Sequence, residues 1–147
     1  MKITVKNLQK KIPISPKRIK EAILEALSSQ DIKKSGEITV CFVNDKKIRE
    51  LNLKYHRRDA STDVLAFDIS SPQSVSGSLF ADIIVSTETA ICNAKIYNTS
   101  PLYESCLYAV HGALHLLGYR DSNTKERELM QSRAEQILAK LKIKRES

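Results

Sequence analysis

The sequence predicts an α/β (α+β) fold, a small mixed β-sheet covered by helices, on three observations. Short runs rich in β-branched residues, such as Ile38–Val43 and Leu79–Val85, recur along the chain. Between them lie segments whose apolar residues are spaced three and four apart, the period of a helix with one buried face. Strands and helices interspersed in this way pack as a sheet with helices laid over it. The 147 residues suffice to bury a core without disulfides, so residues 1–147 are read as one domain.

The elements follow in order. Met1–Asn7 reads as a first strand. Pro16 with Ile19, Ala22, Ile23, Ala26 and Leu27 predicts an amphipathic helix over Pro16–Ser28, entered through Ser15. Gly36 is expected to break the chain before the strand Ile38–Val43. Asn44 can cap a short helix with Ile48, Leu51 and Leu53 on one side. Tyr55–Ser61 is polar and cationic and is expected to be a loop, followed by a short strand, Val64–Phe67. Ser70–Gly77 should be a loop and Leu79–Val85 a second strong strand. Thr87–Tyr97 is expected to be helical from Ser86. Ser100-Pro101 opens the next helix, since proline suits the first helical turn; it runs to about Leu117 and ends at Gly118. Asn123 or Thr124 caps a last helix whose apolar side includes Leu129, Met130, Ile137, Leu138 and Leu141.

Composition narrows the function classes. Apolar residues are 41% and charged residues 28%, the balance of a globular chain. The apolar stretches fall far short of the roughly 20 residues a spanning helix needs, and Met1–Asn7 lacks the pattern of a signal core. A cytoplasmic protein with no membrane partner is expected. Cys41, Cys92 and Cys106 are widely spaced, form no CxxC pair and sit in apolar patterns, so they are read as buried reduced thiols. The formal net charge is +7, and it is uneven. Lys2, Lys6, Lys10, Lys11, Lys17, Arg18 and Lys20 crowd the first twenty residues without an acid, and Lys140, Lys142, Lys144 and Arg145 follow near the end. Such clusters favour polyanions through counterion release, although a charge run is commonly just a solvated face. With 5% aromatic residues and no Trp, a broad base-stacking platform is not expected.

The chemistry concentrates in His111-Gly-Ala-Leu-His115-Leu-Leu-Gly118-Tyr119-Arg120-Asp121. Residues i and i+4 of a helix share a face about 6 Å apart along the axis. Two imidazoles so placed can converge on one divalent ion. Gly118 can end the helix and fold Tyr119–Asp121 back beside the histidines, where Asp121 offers a carboxylate. Histidines four apart are more often packing or surface residues than ligands. These two lie in a largely apolar run, however, where unpartnered imidazoles are costly, so coordination by His111, His115 and Asp121 is expected in a hydrolase. The position after the first histidine is Gly112, not the Glu that serves HExxH proteases as general base, which argues against peptide hydrolysis by that mechanism.

The same segment resembles the YbeY family of ribosomal-RNA maturation endoribonucleases, whose signature reads HGxLHLxGYDH. Leu51-Asn52, Tyr55 and Asp59–Phe67 resemble its LN..YR..D.PTDVLSFP block. Ala81–Ser86 resembles its GDIVIS strand, and Glu104 stands seven before His111 as in the family. The resemblance implies an α/β fold with a zinc site and a metal-dependent single-strand endoribonuclease. It also implies maturation of the 3′ end of the small-subunit ribosomal RNA, ribosome quality control, and RNA and the small ribosomal subunit as partners.

The chain departs from the pattern at several positions: Arg120 stands for the usual Asp, Ser61 for the usual Pro and Ala66 for the usual Ser, and two further departures bear on the chemistry. The third family ligand is a histidine where this chain has Asp121, a harder anionic ligand that leaves the metal identity more open than a third imidazole would. The family's arginine after the tyrosine is His56 here, followed by Arg57 and Arg58. His56 can serve as general acid or base near neutral pH while Arg57 or Arg58 holds phosphate; a solvated basic loop is the alternative. Three functional readings stand. The first is an endoribonuclease, the second a non-catalytic ribosome- or RNA-binding factor with a structural metal. The third, a metallohydrolase of small molecules or peptides, suits the site but not the basic termini.

Overall fold

The computed structural model describes residues 1–28, 35–74 and 78–146. Among them, β1 (Lys2–Asn7), α1 (Pro16–Ser28), β2 (Gly36–Val43), α2 (Asp45–His56), β3 (Val64–Asp68), β4 (Leu79–Ser86), α3 (Thr87–Tyr97), α4 (Pro101–Leu116) and α5 (Thr124–Lys140) follow in order. The strands form one mixed sheet in the order β1-β2-β4-β3. β1 and β4 run parallel to β2, and β3 closes the edge antiparallel to β4, with Val64 opposite Val85 and Phe67 opposite Asp82. The α/β fold expected from the alternating patterns is the one observed.

Period-two alternation assigns the two sheet faces. Ile38, Val40 and Phe42 of β2 and Ala81, Ile83 and Val85 of β4 enter the main core with α1, α4 and α5. Val43, Leu65 and Ile84 face the other way, where Ile48 and Leu51 of α2 cover them. α4 lies at the centre of the main core, and eleven of its sixteen residues are buried; this near-continuous apolar helix therefore fixes where its histidines emerge. Gly112 packs close against the sheet. A Cβ there would come within 2.7 Å of Ile83 Cγ2 and 3.2 Å of Val64 Cγ2.

The helix starts are capped as their sequences suggest: Asn44, Ser86, Ser100 and Asn123 each accept a backbone N–H from three residues on. Asn123 rather than Thr124 is the cap of α5. Other expectations are corrected. Gly36 does not interrupt the chain but opens β2 at φ 117°, where a side chain would overlap the Leu79 carbonyl. α2 continues through Tyr55 and His56, so the loop begins at Arg57. Leu53 is exposed because α2 turns Asn52 inward instead, and Asn52 Nδ2 donates to the Ala60 carbonyl at 2.9 Å. Leu129 is also exposed, one residue off the inward stripe of Met130, Ala134, Ile137 and Leu138. Of the cysteines only Cys106 is fully buried, and burial lifts its thiol to about 12; Cys41 is half-buried and Cys92 exposed. Part of the expected Ser70–Gly77 loop, residues 75–77, lies outside the described residues.

Candidate metal centre and nucleic-acid cleft

The end of α4 builds the first half of the site. Gly118 takes φ 99°, its N–H donates to the His115 carbonyl at 3.0 Å, and the Tyr119 N–H reaches back to Leu114 O at 3.1 Å. This paired closure is the Schellman reversal, which a glycine accommodates without strain. It places the Tyr119 carbonyl 3.3 Å from His115 Nδ1. A carbonyl only accepts, so Nδ1 is the donor in that bond; the tautomer that makes this bond in a neutral ring keeps its lone pair on Nε2. Nε2 faces Asp121 Oδ2 at 3.7 Å. Two donors each about 2.0–2.1 Å from a zinc ion stand no more than about 4.2 Å apart, so this pair fits a shared ion.

His111, one turn earlier, has a different setting. Its Nε2 is sealed from solvent and makes no hydrogen bond of good geometry, although Gln131 lies near enough to the ring to favour its protonated form. Burial pushes its pKa below the ordinary histidine value, against the upward pull of Asp63. A buried polar atom left without a good hydrogen bond costs about 1–3 kcal/mol, and a cation at Nε2 would remove that cost. Among the described residues, no three His, Cys, Asp or Glu side chains already converge as a ligand set. The donor chemistry suits a divalent ion, and the pairing of His115 with Asp121 is its most developed part.

The second half comes from α2 and the loop after it. Arg57 adopts the left-handed conformation, φ 57°, and caps α2 by donating to Asn52 and Leu53. The chain then turns so that Arg58, and not Arg57, lines an open cleft of about 590 Å³ together with His56, Asn52, Thr62, His115 and Asp121. An Arg49–Asp59 ion pair, 2.7 Å, and the Asn52–Ala60 bond shape the loop. The guanidinium of Arg49 holds the Asp59 carboxyl below its usual range. His56 lies flat on Phe67, ring centres 5.4 Å apart and planes 13° from parallel. Thus four of the six expected site residues, His56, Arg58, His115 and Asp121, share one cleft; Arg57 and His111 do not line it.

His111 instead lines a second cleft of about 430 Å³ with Asp63, Asn93, Glu104, Tyr108, Gln131 and other residues. Sequence reasoning passed over most of this group. Asn93 Nδ2 donates to the Tyr108 hydroxyl at 2.7 Å, and that hydroxyl lies 3.4 Å from Glu104 Oε1. Glu104 is buried, and desolvation raises its carboxyl above the usual range. Asp63 Oδ1 accepts the Val64 N–H at 2.8 Å, ordering the start of β3. An acid in the first turn of an otherwise apolar helix was the available signal.

The sequence model of the family described as Endoribonuclease YbeY matches residues 4–142. The chain belongs to the YbeY family. The YbeY endoribonuclease of Clostridioides difficile is 36% identical over 99% of this chain and 100% of its own length. That of Pelotomaculum thermopropionicum is 32% identical over the same shares of both chains. The solution structure of a Thermotoga maritima protein superposes with TM-score 0.60 at 26% identity, covering 95% of this chain and 91% of that one. Against the family pattern, His111 and His115 stand at matching positions, whereas Asp121 and His56 are two of the departures, and both line the same open cleft.

Proposed function

We propose that this YbeY-family chain is a metal-dependent single-strand endoribonuclease, with residues 1–147 acting as one domain. Family membership supports an enzyme that hydrolyses RNA phosphodiesters. The observation that carries the metal is the His115–Asp121 pair, with Nδ1 of His115 tied back to Tyr119 and Nε2 directed at the carboxylate. His111, His115 and Asp121 would hold one divalent ion, zinc being the first candidate. Such an ion supplies Lewis-acid stabilisation of charge on the phosphoryl oxygens.

The chain's own groups do the rest. Arg58 binds the scissile phosphate through its guanidinium fork, and Arg57, outside the cleft, adds longer-range attraction for the strand. His56 is the proton-transfer group at the cleft wall, its ring held in plane by Phe67. The biological reading is maturation of the 3′ end of small-subunit ribosomal RNA and ribosome quality control in the cytoplasm. It agrees with the net charge of +7. It also agrees with the lack, among the described residues, of any helix long and apolar enough to cross a membrane.

One observation favours a second reading, a non-catalytic ribosome- or RNA-binding factor with a structural metal: two of the departures from the family pattern, His56 and Asp121, fall in the cleft where cleavage would occur. Cleavage of a labelled single-stranded RNA by metal-replete protein separates the two. The enzyme reading expects cuts that a chelator stops and a divalent ion restores. Salt-sensitive binding with no cuts at any metal supplement would overturn it.

A further inference from the structure

The strongest unassigned feature lies at the other end of α4. After α5 the chain reverses at Lys142, a non-glycine residue at φ 56°, where the Lys142 and Ile143 N–H groups bond back to Ala139 and Leu138. The following residues do not trail away. Ser100 N–H donates to the Arg145 carbonyl at 2.9 Å, Arg18 Nη1 donates to the Leu141 carbonyl at 2.9 Å, and Ile143 packs on the main core. The tail is thereby pinned between the first turn of α1 and the start of α4. It encloses a cleft of about 320 Å³ lined by Arg18, Lys142 and Lys144 over a floor that includes Leu102, with Glu146 the one acid on its wall.

Arg18, Lys142 and Lys144 line this cleft together with Glu146, and Arg18 is held there by its bond to the Leu141 carbonyl. Among the described residues, Lys140 pairs with Glu25 at 2.6 Å and Lys11 with Glu88 at 3.1 Å, whereas Arg18, Lys142 and Lys144 enter no ion pair. Lys142 takes a left-handed backbone that favours glycine, and such strain persists where surrounding contacts enforce it. None of the residues lining the cleft is a large, exposed apolar side chain that would insert into a lipid surface.

We propose that this cleft is a second phosphate-binding site for single-stranded RNA, remote from the metal centre. The assignment rests on the RNA reading above for its ligand but on different residues for its geometry. Leu102 and His115 are thirteen residues apart on one helix, about 20 Å at 1.5 Å per residue. A strand at the stacked rise of 3.4 Å per nucleotide must pass around this buried helix, so it needs more than about six nucleotides. The two sites therefore engage one RNA only when it exceeds that length, and the tail contributes affinity rather than chemistry.

The test is equilibrium binding of labelled single-stranded RNAs of four and fifteen nucleotides to the metal-replete whole chain, with RNA integrity checked by gel. Wild type is compared with Lys142→Asn/Lys144→Gln across a salt series. Asparagine tolerates the left-handed backbone. For the longer RNA, the slope of log affinity against log salt should fall by about 1.4, two contacts at about 0.7 each, and its affinity advantage over the shorter RNA should shrink. Should the double variant melt early, Lys144→Glu alone, a change to an exposed tail residue, must produce the same loss. Unchanged slopes and length dependence would overturn the proposal. So would a tail effect seen only on vesicles of phosphatidylglycerol and phosphatidylcholine. Because binding is read separately from cutting, a chain that never cleaves RNA refutes the enzyme reading and leaves this site standing.

Discussion

The two clefts beside α4 differ in every respect except the helix they share. On the His115 side the wall is open and carries Arg58 and His56, and the imidazole is oriented by a backbone carbonyl. On the His111 side the wall carries Asp63, Glu104 and Glu135, two of its tyrosines have phenols raised by burial, and the imidazole Nε2 makes no hydrogen bond of good geometry. The His111 wall sets three carboxyls against Arg145, whereas the His115 wall sets Arg58 against Asp121. Spacing of four along a helix thus defines a shared face but not a shared environment. What surrounds each position is decided by the elements packed against it, here β3 and the loop after α2 for His115, and α3, α5 and the tail for His111.

If both histidines serve one ion, either His111→Ala or His115→Ala should remove the bound metal and lower RNA cleavage by at least about a hundredfold, since even outer partners of metal ligands are worth about 10–100-fold. Metal analysis and cleavage rates on the purified variants check this. The comparison sharpens in metal-free protein. There, His111→Leu should raise the denaturation midpoint by about 1 kcal/mol equivalent, because it deletes a buried polar atom without a good hydrogen bond, whereas His115→Leu should not.

Gly112→Ala strikes both sides at once. The new methyl meets two β-branched side chains of the sheet, and overpacking of this kind costs about 1–3 kcal/mol, measurable by urea denaturation. A smaller effect concerns pH. Burial raises the Glu104 carboxyl in the folded state. Its contribution is therefore fully present below the unfolded glutamate value and is lost as pH rises through the folded one. Glu104→Gln should flatten that loss in stability curves taken upward from about pH 4. The mildest change is Asp121→His, which should shift metal preference toward zinc in competition with harder ions and leave the melting temperature nearly unchanged.

Much of this was legible beforehand. Every strand and helix carried its own pattern, and the caps at Asn44, Ser86 and Ser100 were visible as single residues. Gly118 announced the reversal that brings Asp121 to His115, because few other residues accept that backbone conformation. The illegible parts are tertiary. Nothing local distinguishes Arg57 from Arg58; only the left-handed turn at Arg57 sends one away from the cleft and the other into it. The last turn of α2 has no apolar face of its own, and contacts to Phe67 and Ala60 extend the helix past the expected boundary. Asn93 and Gln131 could not be placed beside His111 without knowing how α3 and α5 dock on α4.

The most direct test of a single ion shared by His111 and His115 is the metal content of wild type, His111→Ala and His115→Ala, purified side by side and saturated with zinc. The account expects about one ion per wild-type chain and none in either variant. A variant lacking His111 that still holds one ion at wild-type affinity would contradict it, leaving His115 and Asp121 as a site that His111 does not share.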